Sequence, residues 1–188
     1  HYPLRRQRQM CIRDSTIGVG FESANDEVRK NIKKGLRLKN INQVVNMTRN
    51  ADIDILLFCV VGFYGETKES MYETINYVKN LKASFITLGI AVPTPGTKFF
   101  KQMESENLLQ HKQWDLYDPL KLPVFDYPNL SGAEIYDAAA YGLRQFYLRP
   151  SYILDRLKNI NNINQFKIYL INFFGFIKRY IRKNKAQS

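Results

Sequence analysis

The stretch Phe58–Thr67, FCVVGFYGET, decides the reading of this chain. An uncharged apolar run meets Gly62, turns through Gly65 and passes at Glu66–Thr67 into TKESMYETINYVKNLKA, where Met71, Ile75, Val78 and Leu81 recur at helical spacing. A segment that is apolar on successive residues, IDILLFCVVGF, is expected of a strand covered on both faces in a parallel sheet. Two glycines at the handover permit positive φ and close backbone approach. A helix that starts just beyond presents unpaired N–H groups to an anion. The stretch therefore predicts a β-strand, a tight ligand-facing turn and an α-helix.

Working upstream, TIGVGFES alternates apolar residues and reads as a short strand. Ser23 and Asp26 mark a helix start, with Asp26 and Glu27 in the first turn. Lys33 and Lys34 would then fill the last turn, with Gly35 as the residue after the cap. A second helix is expected over NINQVVNMTRNA, with Ile41, Val44, Val45 and Thr48 on one face. Downstream, SFITLGIAVPTPGTKFF reads as a third strand stopped by Pro93, Pro95 and Gly96. The order strand, helix, helix, strand, helix, strand implies βα units, a parallel sheet and right-handed crossovers.

Beyond residue 98 the pattern changes. KFFKQMESENLL is helical in character, and DLYDPLKLPVFDYPNLSG is a loop rich in Pro, Asp and Tyr. A capping box at Ser131 and Glu134 opens a helix that runs to Pro150, and a further helix follows. No solenoid repeat or low-complexity segment is present.

Composition narrows the class. The 188 residues suffice for one sizeable core, and 45% hydrophobic with 13% aromatic residues exclude a disordered chain. The net charge of +11 gathers at the ends, in LRRQRQMCIR and in KNINNINQFKIYLINFFGFIKRYIRKNKAQS, while residues 16–145 are much closer to balance. A nucleic-acid groove across the whole domain is therefore not required. Two distant cysteines, Cys11 and Cys59, point to a reducing, cytoplasmic setting, and no apolar run reaches the ~18 residues of a spanning helix. The first fifteen residues, HYPLRRQRQMCIRDS, lack hydrophobic periodicity and an initiator Met, and they resemble translated adapter sequence. They are expected to be a non-native leader, with genuine sequence missing ahead of Thr16.

Three strands thus end in Gly20–Phe21–Glu22–Ser23, in Gly62–Phe63–Tyr64–Gly65–Glu66–Thr67 and in Pro93–Thr94–Pro95–Gly96–Thr97. In a parallel α/β sheet such ends share one rim, where ligands bind. Together IGVGFESANDEVRKNIKKG, GFYGETKESMYETINYVKNL and GIAVPTPGTKFF resemble the second half of a radical S-adenosylmethionine (SAM) barrel, in the subgroup that carries a cobalamin-binding domain. FYLRPSYILDRL resembles the C-terminal helices of that subgroup, so the likeness covers roughly residues 16–158. It implies an α/β fold, a partial TIM-like (β/α) barrel with parallel strands followed by C-terminal helices. The expected divisions are a leader at 1–15, the half-barrel at 16–100, a helical cover at 101–160 and a basic amphipathic tail at 161–188.

The resemblance places cofactor contacts residue by residue. Glu22, with Ser23 beside it, stands where a polar residue reaches the SAM ribose or amino-acid part; the alternative is a carboxylate capping the next helix. Lys34 stands where a basic residue faces the SAM carboxylate; the alternative is helix-dipole compensation worth ~0.3–1 kcal/mol. Val60, Ile90 and Val92 stand where apolar side chains sandwich the adenine, and Gly62 and Pro95 shape the turns around it. Glu66 and Thr67 are expected to brace the turn and cap the helix. Tyr64 replaces the family's usual proline, which loosens the turn or offers a hydroxyl to the pocket.

The resemblance also implies a [4Fe–4S] cluster, whose three clustered cysteines this sequence lacks. The chain is accordingly expected to be an inactive fragment with no catalytic or metal-binding residue of its own. In an intact parent the implied cofactors are SAM, the cluster and cobalamin, and a reductant protein is an implied partner. The implied reaction is methyl transfer or a related carbon modification on a small or lipid-like substrate. Two other readings stand beside it: a radical SAM enzyme that modifies RNA, and a non-catalytic half-barrel domain that binds a membrane surface or a partner. The tail FKIYLINFFGFIKRYIRKNK is dense in apolar residues and then basic. It suits either a peripheral contact with the inner membrane face or a terminal helix packed on the barrel.

Overall fold

The computed structural model describes residues 16–111 and 113–158. The expected leader and the tail at 161–188 lie outside them. Three strands, β1 (Ile17–Glu22), β2 (Ile55–Val61) and β3 (Phe85–Ile90), form one parallel sheet in the order β1-β2-β3. Two helices, α1 (Asp26–Asn31) and α2 (Leu38–Asn50), connect β1 to β2. A third, α3 (Lys68–Asn80), connects β2 to β3. Beyond the sheet come α4 (Lys98–Ser105), a single 3-10 turn (Trp114–Leu116), α5 (Gly132–Tyr147) and α6 (Pro150–Lys158). The expected α/β fold with parallel strands and C-terminal helices is therefore present, and an open sheet of this kind is consistent with part of a barrel.

The sheet has two unlike faces. On β2, Ile55, Leu57, Cys59 and Val61 are all but fully enclosed, as are Ile86, Leu88 and Ile90 on β3. Against this side lie the buried faces of the helices, namely Ile41 and Val45 of α2 and Met71, Ile75 and Val78 of α3. Here α5 crosses closely: a Cβ on Gly142 would lie 2.6 Å from Leu88 Cδ2 and 2.9 Å from Ile75 Cγ1. The alternate residues of β2 are not enclosed, and Phe58 is 43% exposed. The expectation that both faces of β2 are covered is thus corrected. Only one side carries the helical layer among the described residues, so the apolar run on β2 is half core and half open surface.

Local chemistry explains the helix ends. Asn25, not Ser23, caps α1, its Oδ1 accepting from Glu27 and Val28 N–H, both at 3.1 Å. The helix also stops earlier than the sequence suggests. Lys33 takes φ 56°, Lys33 N–H bonds to Lys30 O and Lys34 N–H to Arg29 O, which is the Schellman pattern with lysine where glycine is usual. Asp52 and Asn107 end α2 and α4 in the same way. Thr67 caps α3 in a reciprocal box with Ser70, and Ser131 and Glu134 cap α5 as expected.

A buried hydroxyl pair ties the first strand to the third helix. Ser23 Oγ lies 3.0 Å from Thr74 Oγ1, which also accepts the Ala24 N–H at 3.0 Å. Both side chains are wholly enclosed. Thr74→Val keeps the shape and leaves the Ala24 N–H unpaired, so a loss of ~1–3 kcal/mol is expected in a urea titration. A shift below a few tenths would show that the pair does not hold β1 to α3.

The described residues fall into two compact units that divide at Leu143/Arg144 within α5. In the second unit Phe146, Tyr147 and Tyr152 form a ring cluster with centroids 5.0–5.4 Å apart, and Arg149 stacks 4.3 Å above Phe146. No helix among the described residues is long and apolar enough to cross a membrane.

Candidate functional site

Because the strands are parallel, their C-terminal ends meet along one edge. Glu22 pairs in register with Cys59, Val61 with Ile90, and Ala91 N–H continues the ladder to Val61 O at 2.8 Å. Glu22, Gly62 and the Pro93–Thr97 turn therefore follow three neighbouring strands on the same rim, as the sequence predicts.

Glu22 has the most unusual backbone of the rim. A β-bulge between Gly20 and Glu22 sets two residues of β1 against one of β2. Phe21 turns fully inward and stacks on Tyr77 at 5.3 Å. Glu22 itself takes φ 67°. Lys33, Asp52 and Asn107 share the left-handed region but only end helices, whereas Glu22 is the one non-glycine residue to adopt it at a strand end among the described residues. The cost is ~1–2 kcal/mol, of the kind that persists where the surroundings enforce it.

The turn after α1 brings Lys34 back to this strand end. Its Nζ donates to Glu22 Oε1 at 3.0 Å, and both side chains keep some exposure, 35% for Lys34 and 21% for Glu22. The pair lies over Gly20, where a Cβ would meet Glu22 Oε1 at 2.9 Å and Lys34 Nζ at 3.0 Å. One step back, a Cβ on Gly18 would press on the Phe58 ring at 2.9 Å. The open face of β1 is thus a glycine floor bounded by a carboxylate, an ammonium and an aromatic ring.

The middle turn is built for rigidity. Gly62 takes φ 82°, and Glu66 folds back so that its Oε2 accepts the N–H of Gly62 at 2.7 Å and of Phe63 at 3.1 Å. Tyr127 donates its hydroxyl to Gly62 O at 3.0 Å. Glu66 is buried with no partner on Oε1, and burial pushes its carboxyl up to about 7 against the pull of those two N–H groups. Glu66 and Thr67 therefore brace and cap, as expected. Tyr64 sends its hydroxyl to Glu106 at 2.8 Å and its ring edge against Tyr127.

The other proposed contacts separate. Ser23 is enclosed and engaged with Thr74, so its hydroxyl serves the fold in this arrangement. Val60 is half-buried on the open face opposite Gly89, whereas Ile90 belongs to the enclosed row with Val61. Ile90 instead joins Val92 in lining a small pocket under the 116–125 loop. Pro95 is exposed in the third turn, where Thr97 caps α4 by accepting from Phe100 N–H at 3.1 Å. Sequence reasoning missed Tyr127 and the floor role of Gly18 and Gly20. Tyr127 sits in an aperiodic Asp-Tyr-Pro stretch, while Gly20 was read as part of the strand end on the rim and Gly18 only as a strand residue.

Cys59, the cysteine among the described residues, is enclosed, and burial with the nearby Glu22 charge pushes its thiol well up. It is a packing residue, not a thiolate ligand. No group of three or more His, Cys, Asp or Glu among the described residues is placed to hold a metal.

With that geometry in place, similarity to known proteins gives the class: the chain is a distant relative of methyltransferases. It is 27% identical over 168 residues to the bacteriochlorophyllide d C-12(1)-methyltransferase of Chlorobaculum tepidum, covering 89% of this chain and 35% of that protein. It is 27% identical over 139 residues to an uncharacterised methyltransferase of Pyrococcus horikoshii, covering 74% of this chain and 30% of that protein. A probable threonylcarbamoyladenosine tRNA methylthiotransferase of Methanocaldococcus jannaschii is 27% identical over 108 residues, 56% of this chain and 25% of that one. The chain thus spans about a third of the length of the first two relatives. No family model matches it.

Proposed function

We propose that this chain forms the SAM-cradling part of a radical SAM methyltransferase, with the cofactor lying against the glycine floor at the strand ends. The observation that carries the reading is Glu22, held at a strained φ of 67° so that its carboxylate meets Lys34 over Gly20. In such a site Lys34 would take a cofactor carboxylate, Glu22 its ribose hydroxyls or amino group, and Val60 its base. Bound there, SAM supplies the one-carbon group or the radical for the reaction. The residues here bind it, orient it and keep one side of it dry.

The iron–sulfur cluster, and cobalamin where the parent uses it, are assigned to parts of a longer protein, since the described residues offer no thiolate set. Distant similarity to a bacteriochlorophyllide methyltransferase supports a small macrocyclic or lipid-like acceptor. The RNA reading draws on the tRNA methylthiotransferase likeness. It ranks second, because residues 16–158 hold 18 Lys and Arg against 16 Asp and Glu, too even a balance for a phosphate-tracking groove. A contact with the membrane face through residues 161–188, and a reductant partner, remain part of the proposal for the parent.

The test is a comparison of Glu22→Gly with Glu22→Ala. Glycine relieves the left-handed strain and alanine does not, so Glu22→Gly is expected to be more stable by about 1 kcal/mol. The lost ion pair is partly exposed and costs at most ~1 kcal/mol in either variant. Both variants are expected to lose SAM affinity about tenfold or more in equilibrium dialysis. Retained affinity in both would remove Glu22 from the site.

A further inference from the structure

We propose that the loop of residues 114–122 forms the substrate-recognising wall of this mouth and takes a large, flat, apolar ring. The inference rests on the reading above, because only a cofactor at the strand ends makes this rim the place where an acceptor must dock. The loop is seated on the sheet itself. Pro119 O accepts the Ile90 N–H at 2.9 Å, and Pro119 Cβ would lie 3.6 Å from a Cβ on Gly89. Its turn is tied by Asp118, whose Oδ1 accepts from Leu120 N–H at 2.8 Å and whose main-chain oxygen accepts from Lys121 N–H at 3.1 Å.

A loop anchored in this way could have turned its apolar side chains inward. It instead leaves Trp114 58%, Leu120 44% and Leu122 46% exposed. Trp114 is held between Phe100 at 6.1 Å and Tyr117 at 5.2 Å, which orients the indole while leaving much of it open to water. Beneath the loop, Ile90, Val92, Leu116, Tyr117, Leu122 and Phe125 continue the apolar surface into a small pocket.

The chemistry of the patch selects its ligand. An indole packed on Tyr117, with Leu120 and Leu122 exposed on the same loop, suits the face of a flat ring by offset stacking and apolar contact. A phosphate-bearing polymer or an anionic lipid surface needs unpaired cations, and the one lysine of the 114–122 loop, Lys121, is turned to Asp118 Oδ2 at 3.9 Å and to Asp115 O at 3.5 Å.

Trp114 is the single tryptophan of the chain, so its fluorescence reports on this loop alone. Titrating the full chain with a water-soluble free-base chlorin should quench it saturably. Leu120→Ser and Leu120→Ser/Leu122→Ser should weaken that binding about threefold and at least tenfold, with the far-ultraviolet circular dichroism unchanged. Leu120 does not line the pocket, so the single variant reads recognition even where the double variant unfolds. Absence of saturable quenching overturns the inference. So does equal affinity in the variants, or equal quenching by anionic vesicles or a straight-chain acyl probe. A parallel SAM titration separates the two claims: SAM binding without chlorin binding defeats the loop assignment alone, and loss of both defeats the cradle as well.

Discussion

Gly62→Val is expected to lower the stability of the fold by about 2–5 kcal/mol. Two separate costs add. A β-branched residue at φ 82° enters the left-handed region at ~1–2 kcal/mol. Its Cβ would lie 2.9 Å from Ile135 Cγ2 in a well-packed layer, which adds ~1–3 kcal/mol of overpacking. Gly65→Ala isolates the first cost, since Gly65 has φ 75° and no atom within 4 Å of a Cβ. Urea midpoints for the two variants check the argument. Should Gly62→Val shift the midpoint no further than Gly65→Ala, the packing of α5 against the turn is misjudged.

The second large effect belongs to Glu66. Its Oε2 is the acceptor for two amides of the turn, a buried one at Gly62 and a half-buried one at Phe63, so Glu66→Ala leaves both N–H groups without their partner. Each costs ~1–3 kcal/mol, giving an expected loss of about 2–6 kcal/mol. Glutamine behaves differently, because its amide oxygen can replace Oε2. Burial raises the carboxyl from 4.5 to about 7, so the folded state holds a proton that the unfolded state has released between those values. Stability is therefore highest below pH 4.5 as far as this group is concerned and falls as pH rises through 7, by ~3 kcal/mol in all. Glu69 and Glu134 shift downward, and their contributions fade only as pH falls below 4.5, outside this window. Glu66→Gln is expected to flatten the decline between pH 5 and 8, and to match or exceed the native chain at pH 8. A decline of unchanged size in Glu66→Gln would assign it to another group.

Much of the fold was legible because each element announced itself locally. The Met71, Ile75 and Val78 stripe, the Thr67 and Ser131 caps and the apolar strand IDILLFCVVGF each appear in the structure within a few residues of the expected place. The end of α1 was misjudged because glycine at position 35 suggested the cap, whereas lysine at 33 adopts the left-handed turn. Residue preference is a weak guide where three non-glycine residues make the same motif. The open face of β2 was unreadable for a different reason: an apolar run looks alike whether one face or both are covered.

At the site, sequence order placed the rim correctly, since parallel strands must end together. It could not show that Glu22 and Lys34, twelve residues apart, would meet over Gly20. That contact depends on the bulge at the end of β1 and the turn at Lys33, and neither has a periodic signal. The loop seat at Gly89 was likewise hidden, because it joins Ile90 to Pro119, twenty-nine residues on, through a main-chain bond.

The most direct measurement is a nitrogen–proton correlation spectrum of the chain titrated with SAM, which reads weak binding residue by residue. Saturable shifts are expected at Gly18, Gly20, Glu22, Lys34, Val60 and Gly62, with Thr48 and Leu81 at the far ends of their helices unmoved. Shifts absent from these positions at millimolar SAM, or spread evenly over the helices, would contradict a cofactor cradle at the ends of the strands.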